Sequence, residues 1–115
     1  MAAMNPIDIS PKDLETVTAI LEKHVSEYEV KAFGSRVTWT ATEASDLDLV
    51  IMTRTPLMTL RLADLKEAFS ESDLPFKVDV VDWAGTKEGF RKIINKQAMT
   101  IYNKQDTLLH NPQGD

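Results

Sequence analysis

Residues 46–52 read Asp-Leu-Asp-Leu-Val-Ile-Met, and an extended strand is the conformation that makes sense of that order. Side chains alternate between faces along a strand. With Asp46 opening a strand over 47–52, Leu47, Leu49 and Ile51 turn toward a core, while Asp46, Asp48 and Val50 share the other side. The two carboxylates then sit about 6–7 Å apart along the strand. Their oxygens can converge on a cation between them, and without one they repel each other. Mg²⁺ takes hard oxygen ligands and commonly combines a few carboxylates with substrate phosphates. Two ordinary surface aspartates at a solvated strand mouth would give the same pattern, so the pair alone does not assign a metal.

Upstream, Phe33-Gly34-Ser35-Arg36 closes an earlier strand, expected over 28–33. A glycine at a strand end lets backbone N–H groups approach a phosphate closely. Ser35 adds a hydroxyl, and Arg36 a charge that could reach the same phosphate. An isolated Gly-Ser is a plain turn. What carries meaning is the succession of turn, ten-residue excursion (36–45) and acidic strand. If the two strands are neighbours, a phosphate held at Gly34-Ser35 lies beside a cation held by Asp46 and Asp48.

The remainder supplies a frame for these two segments. Ser10 is placed to cap a helix, Pro11 suits its first turn, and Asp13 follows three residues on. Leu14, Val17, Leu21 and Val25 then recur at helical spacing. Thr55-Pro56 breaks the acidic strand. Residues 58–71 read as a helix with Leu62, Leu65 and Phe69 on one face, stopped by Leu74-Pro75. Residues 76–82 read as a strand, 86–97 as a helix with Phe90, Ile93 and Ile94 inward, and 99–102 as a short last strand. The order predicts an α/β (α+β) domain, a small mixed sheet flanked by helices.

Two-metal phosphoryl transfer needs a third ligand near the attacking oxygen. The segment Phe76-Lys77-Val78-Asp79-Val80-Val81-Asp82 offers Asp79 and Asp82. Alternation places Lys77, Asp79 and Val81 on one face and Val78, Val80 and Asp82 on the other. Asp79 lies mid-strand between valines, where an unpaired carboxylate is costly to bury. Asp82 lies at the strand end, where a helix cap or solvent explains it. The reading selects Asp79.

Composition narrows the function classes. At 115 residues the chain is one domain, here 1–103, with a polar tail over 104–115 that is expected to be flexible. A net charge of −5 argues against a nucleic-acid-binding surface. There is no cysteine, so disulfides and thiolate metal sites are excluded, and His24 and His110 are the only imidazoles. No apolar run approaches the roughly 18 residues of a spanning helix, and no signal-peptide pattern opens the chain. A cytoplasmic protein with no membrane contact is the expectation. Lys87, Arg91, Lys92 and Lys96 read as a solvated helix face, with contact to a partner or phosphate as the alternative.

The strings Ala32-Phe33-Gly34-Ser35-Arg36 and Ser45-Asp46-Leu47-Asp48-Leu49 resemble the minimal nucleotidyltransferases, the MNT proteins of the DNA-polymerase-β-like superfamily. The resemblance runs from the first helix to Tyr102 and includes Val78-Asp79-Val80-Val81 at the corresponding place. It implies the polymerase-β-like nucleotidyltransferase fold, with Asp46, Asp48 and Asp79 as metal ligands for Mg²⁺, expected as two ions. It implies that Gly34 and Ser35 cradle the phosphates of ATP and that Asp79 helps to activate the acceptor hydroxyl. MNT proteins act as antitoxins beside a HEPN toxin, so the resemblance implies a hetero-oligomer and AMP transfer onto a tyrosine of that partner. Neutralisation by binding alone and transfer to a small molecule such as an aminoglycoside are the competing readings. The chain departs from the family at Val37-Thr38-Trp39-Thr40-Ala41, where a small, glycine-containing loop is usual. Trp39 is read as packing in the core or an interface ahead of stacking on a base.

Overall fold

The structure is a computed structural model and describes residues 6–103. The first helix, α1 (Pro11–Val25), begins where the sequence places it: Ser10 is the cap, and its Oγ accepts from Asp13 N–H at 3.1 Å. Val17, Leu21 and Val25 are its buried stripe. A turn closed by Tyr28 N–H on Val25 O delays the first strand, so β1 spans Val30–Phe33 rather than starting at residue 28. One helical turn not foreseen from sequence, α2 (Ser35–Thr38), follows Gly34 directly. Then come β2 (Leu47–Ile51), α3 (Thr59–Ser70), β3 (Val78–Asp82), α4 (Glu88–Gln97) and β4 (Met99–Tyr102), with a 3₁₀ turn at Trp83–Gly85. The last strand is present as expected. The polar tail and His110 lie outside the described residues.

The four strands form a mixed sheet in the order β3-β2-β1-β4. β1 runs antiparallel to β2 and to β4, and β2 runs parallel to β3. The parallel pair requires a crossover, which α3 supplies. Period-two alternation divides the strands between two cores. Leu47, Leu49 and Ile51 join Val30, Ala32 and Val80 with the buried residues of α1 and α3 (Leu65 and Phe69) on one face. Phe33 and Val50 meet Ile94 of α4 on the other. At about 25 cal/mol per Å² of apolar area, the first and larger core supplies most of the burial energy.

Helix α4 covers its face only partly. Ile94 is fully buried, whereas Phe90 is 38% and Ile93 52% exposed, against the expectation of three inward residues. Phe90 still meets Phe33 edge-on, with centroids 5.6 Å apart. Trp39 is 52% exposed and therefore not packed under the sheet. It is the one non-glycine among the described residues with positive φ (62°), and its Nε1 donates to Pro6 O at 3.3 Å. Among the described residues no helix is long and apolar enough to cross a membrane.

Candidate active site

Register brings the sequence candidates together. Phe33 pairs with Asp48 across β1 and β2, and Asp48 is abreast of Asp79 across β2 and β3. Directly paired residues share a face, so both carboxylates point to the α4 side of the sheet. They lie at the end of that face beyond the Phe33–Val50–Ile94 cluster, where β1 ends and β2 and β3 begin. Asp46 is exposed, one residue before β2. Burial raises the Asp48 carboxyl above the ordinary carboxylate pKa, and the charges of Asp79 and then Asp46 raise it further. Three negative charges therefore act on one small region.

The competing acid has other work. Asp82 lies on the α3 side, where its Oδ2 accepts from Leu57 N–H at 2.8 Å and pins the loop after β2. Alternation separates Asp79 from Asp82 as the strand does, but Asp79 is exposed at the sheet edge and carries no burial cost.

The turn after β1 abuts the acidic strand. Gly34 has φ 87° and ψ −161°, a conformation open essentially only to glycine. A Cβ at that position would collide with Asp48 Oδ2. The turn and the carboxylate are thus in contact through the missing side chain. Gly34 N–H is already engaged, donating to Gln97 Oε1 at 2.6 Å. Its carbonyl accepts from Val37 and Thr38 N–H. The N–H groups of Ser35 and Arg36 open α2 and have no acceptor within it. They and the Ser35 hydroxyl are the donors the turn offers to an anion.

The structure gives the Arg36 guanidinium other partners than a phosphate. It is 7% exposed. Nε and Nη2 donate to Ser45 O at 3.2 and 2.9 Å, Nη1 donates to Asp8 O at 2.9 Å, and the group lies 4.3 Å over the Phe76 ring. Ser45 immediately precedes Asp46, so Arg36 anchors the backbone that delivers the first aspartate. A planar five-donor fork does this and an ammonium cannot. Arg36→Lys is therefore expected to lower stability by about 1–3 kcal/mol despite retaining the charge. The midpoint of urea unfolding measures it, and an unchanged midpoint would remove the clamp from the account.

The site suits a hard divalent cation. The donors are carboxylate oxygens, and the Gly34 turn, with its free N–H groups, lies against one of them. Among the described residues no three acidic or imidazole groups are drawn into a ready-made metal cage. Mg²⁺ typically uses one or two carboxylates and completes its shell with substrate phosphates and water. Gln97 is the site residue that sequence reasoning missed. Only its late position at the end of α4, among residues read as a solvated face, was visible.

Residues 15–107 match the family described as Polymerase beta, Nucleotidyltransferase. The chain is 48% identical over 108 residues to the probable protein adenylyltransferase MntA of Haemophilus influenzae, covering 94% of this chain and 95% of that protein. The fold is similar to that of a toxin–antitoxin crystal structure with AMP-PNP, at TM-score 0.68 and 20% identity over 84% of this chain and 79% of the other. It is also similar to a chain in the complex of a tri-AMPylated Shewanella oneidensis HEPN toxin with MNT antitoxin. There the TM-score is 0.61 and the identity 19%, over 85% of this chain and 76% of the other. The family match begins inside α1 and runs past β4, taking in the sheet and every candidate site residue, and this chain belongs to the polymerase beta nucleotidyltransferase family.

Proposed function

We propose that this chain is a Mg²⁺-dependent protein adenylyltransferase that moves AMP from ATP onto a tyrosine hydroxyl of a HEPN toxin and so acts as that toxin's antitoxin. The observation that carries the reading is the register: Asp48 abreast of Asp79, with the Gly34 turn in contact with Asp48. The near full-length likeness to a probable protein adenylyltransferase supports the same chemistry. Likeness to chains from toxin–antitoxin complexes supports the choice of partner. The toxin and ATP would meet it in the cytoplasm.

In this reading Ser35, through its hydroxyl and N–H, and the Arg36 N–H hold the phosphate chain. Asp46, Asp48 and Asp79 would hold Mg²⁺, which when bound neutralises charge on the phosphates. The acceptor oxygen forms a bond to the α-phosphorus, the bond from that phosphorus to the bridging oxygen breaks, and pyrophosphate leaves. Asp79 takes the hydroxyl proton. Positioning and charge neutralisation do most of the work, as is general for phosphoryl transfer.

The test is incubation of the full chain with Mg²⁺, α-labelled ATP and a HEPN toxin. Label is expected on a partner tyrosine. An unlabelled partner, or equal labelling by Asp46→Ala/Asp48→Ala, would reject transfer. Retained protection of cells by that double variant would favour neutralisation by binding alone.

A further inference from the structure

The side-chain amide of Gln97 has one half in use and one half free. Its Oε1 accepts from Gly34 N–H across 63 residues of sequence at 2.6 Å. A backbone N–H can only donate, so the atom facing it must be the amide oxygen, and this contact fixes which way the amide is turned. Nε2, bonded to the same carbon and carrying two donor hydrogens, is then held beside the turn. Among the described residues it has no hydrogen-bond partner. Gln97 is half-buried at the last position of α4, next to the β4 junction. The amide is thus oriented by the protein and only partly exposed, with its donors unused.

The acceptors available at that place are limited. The carboxylate beside the turn is Asp48, and no hydrogen bond joins it to Gln97. A phosphate seated at the turn would bring oxygen acceptors to the same place. We infer that Gln97 contacts the nucleotide phosphates: Oε1 fixes the Gly34 turn, and Nε2 donates to a non-bridging oxygen of the triphosphate. One neutral side chain would couple α4 to the nucleotide without adding a positive charge. It also explains why Gly34 N–H itself is not offered to the phosphate. The inference rests on the nucleotidyltransferase reading of the site and adds a donor to it from a different element.

Gln97→Glu separates the two halves. A carboxylate still accepts from Gly34 N–H but has no donor and repels phosphate. Affinity of the full chain for ATP and for AMP, each with Mg²⁺, is measured by calorimetry, and the Gly34 amide is followed by NMR hydrogen exchange. For Gln97→Glu the expected result is an ATP Kd raised roughly tenfold or more, the scale of a hydrogen bond to a charged group. AMP affinity should change less, and Gly34 protection should stay at the wild-type level. Gln97→Met, which lacks both functions, is expected to weaken ATP binding and also to speed Gly34 exchange. Unchanged ATP affinity in Gln97→Glu, with tight binding by the wild type, overturns the inference and leaves the site reading standing. Equal loss for ATP and AMP with faster Gly34 exchange also overturns it, because Gln97 would then be only a brace for the turn. A wild-type chain that binds no ATP removes the site reading, and the inference with it.

Discussion

Asp48→Asn is expected to abolish AMP transfer and at the same time leave the fold at least as stable as the wild type. The two effects share one cause. Asp48 is the carboxylate on which burial and the charges of Asp79 and Asp46 converge. Removing a ligand group from such a centre costs several kcal/mol of transition-state stabilisation, or a loss on the order of a thousandfold or more. The isosteric amide keeps the volume and removes the repelled charge. The pH dependence follows from the sign of the shift. The native state holds the Asp48 proton to a higher pH than the unfolded chain, whose carboxyl has the ordinary pKa of 3.8. The associated stability is fully present below that value and is lost as pH rises through the raised native pKa. Thermal unfolding in chelator, scanned upward from about pH 3, should show this loss in the wild type and not in Asp48→Asn. A variant clearly less stable than the wild type at neutral pH would contradict the crowded-carboxylate account, and near-normal transfer would contradict the catalytic one.

What the sequence made legible follows from the range of the physics involved. Strand alternation is local, so the faces of Asp48 and Asp79, and the separation of Asp79 from Asp82, could be read from period two alone. The Ser10 cap and the α1 stripe are equally local. Long-range partners were not legible. Nothing near Arg36 in sequence says that its guanidinium will reach Asp8 O and stack on Phe76. Likewise nothing near Gln97 points to Gly34. Helical spacing puts Ile93 beside Phe90 and Ile94, yet it is 52% exposed, because which part of an apolar stripe a sheet covers is set by long-range packing. Trp39 escaped because a bulky residue at positive φ defies the propensity rule that would otherwise have placed the end of α2 there.

Gly34→Ala is the complementary case, in which stability and transfer should fall together. Its φ of 87° and ψ of −161° lie in a region that a side chain enters at a cost of about 1–3 kcal/mol. The new methyl also meets Asp48 Oδ2. Relief can come only by moving the turn or the carboxylate, and both belong to the site. A misplacement near 1 Å is enough to cost about a hundredfold in rate. The expected outcome is a urea midpoint lowered by that cost and AMP transfer reduced at least that far. The double variant Gly34→Ala/Asp48→Ala separates the two terms. Removing the Asp48 carboxylate takes away the collision but not the backbone strain. Stability should therefore rise by more than Asp48→Ala alone adds to the wild type, where only charge repulsion is relieved, while transfer stays absent. If the Asp48→Ala change stabilises Gly34→Ala no more than it stabilises the wild type, the close contact between turn and carboxylate is not what requires glycine at position 34.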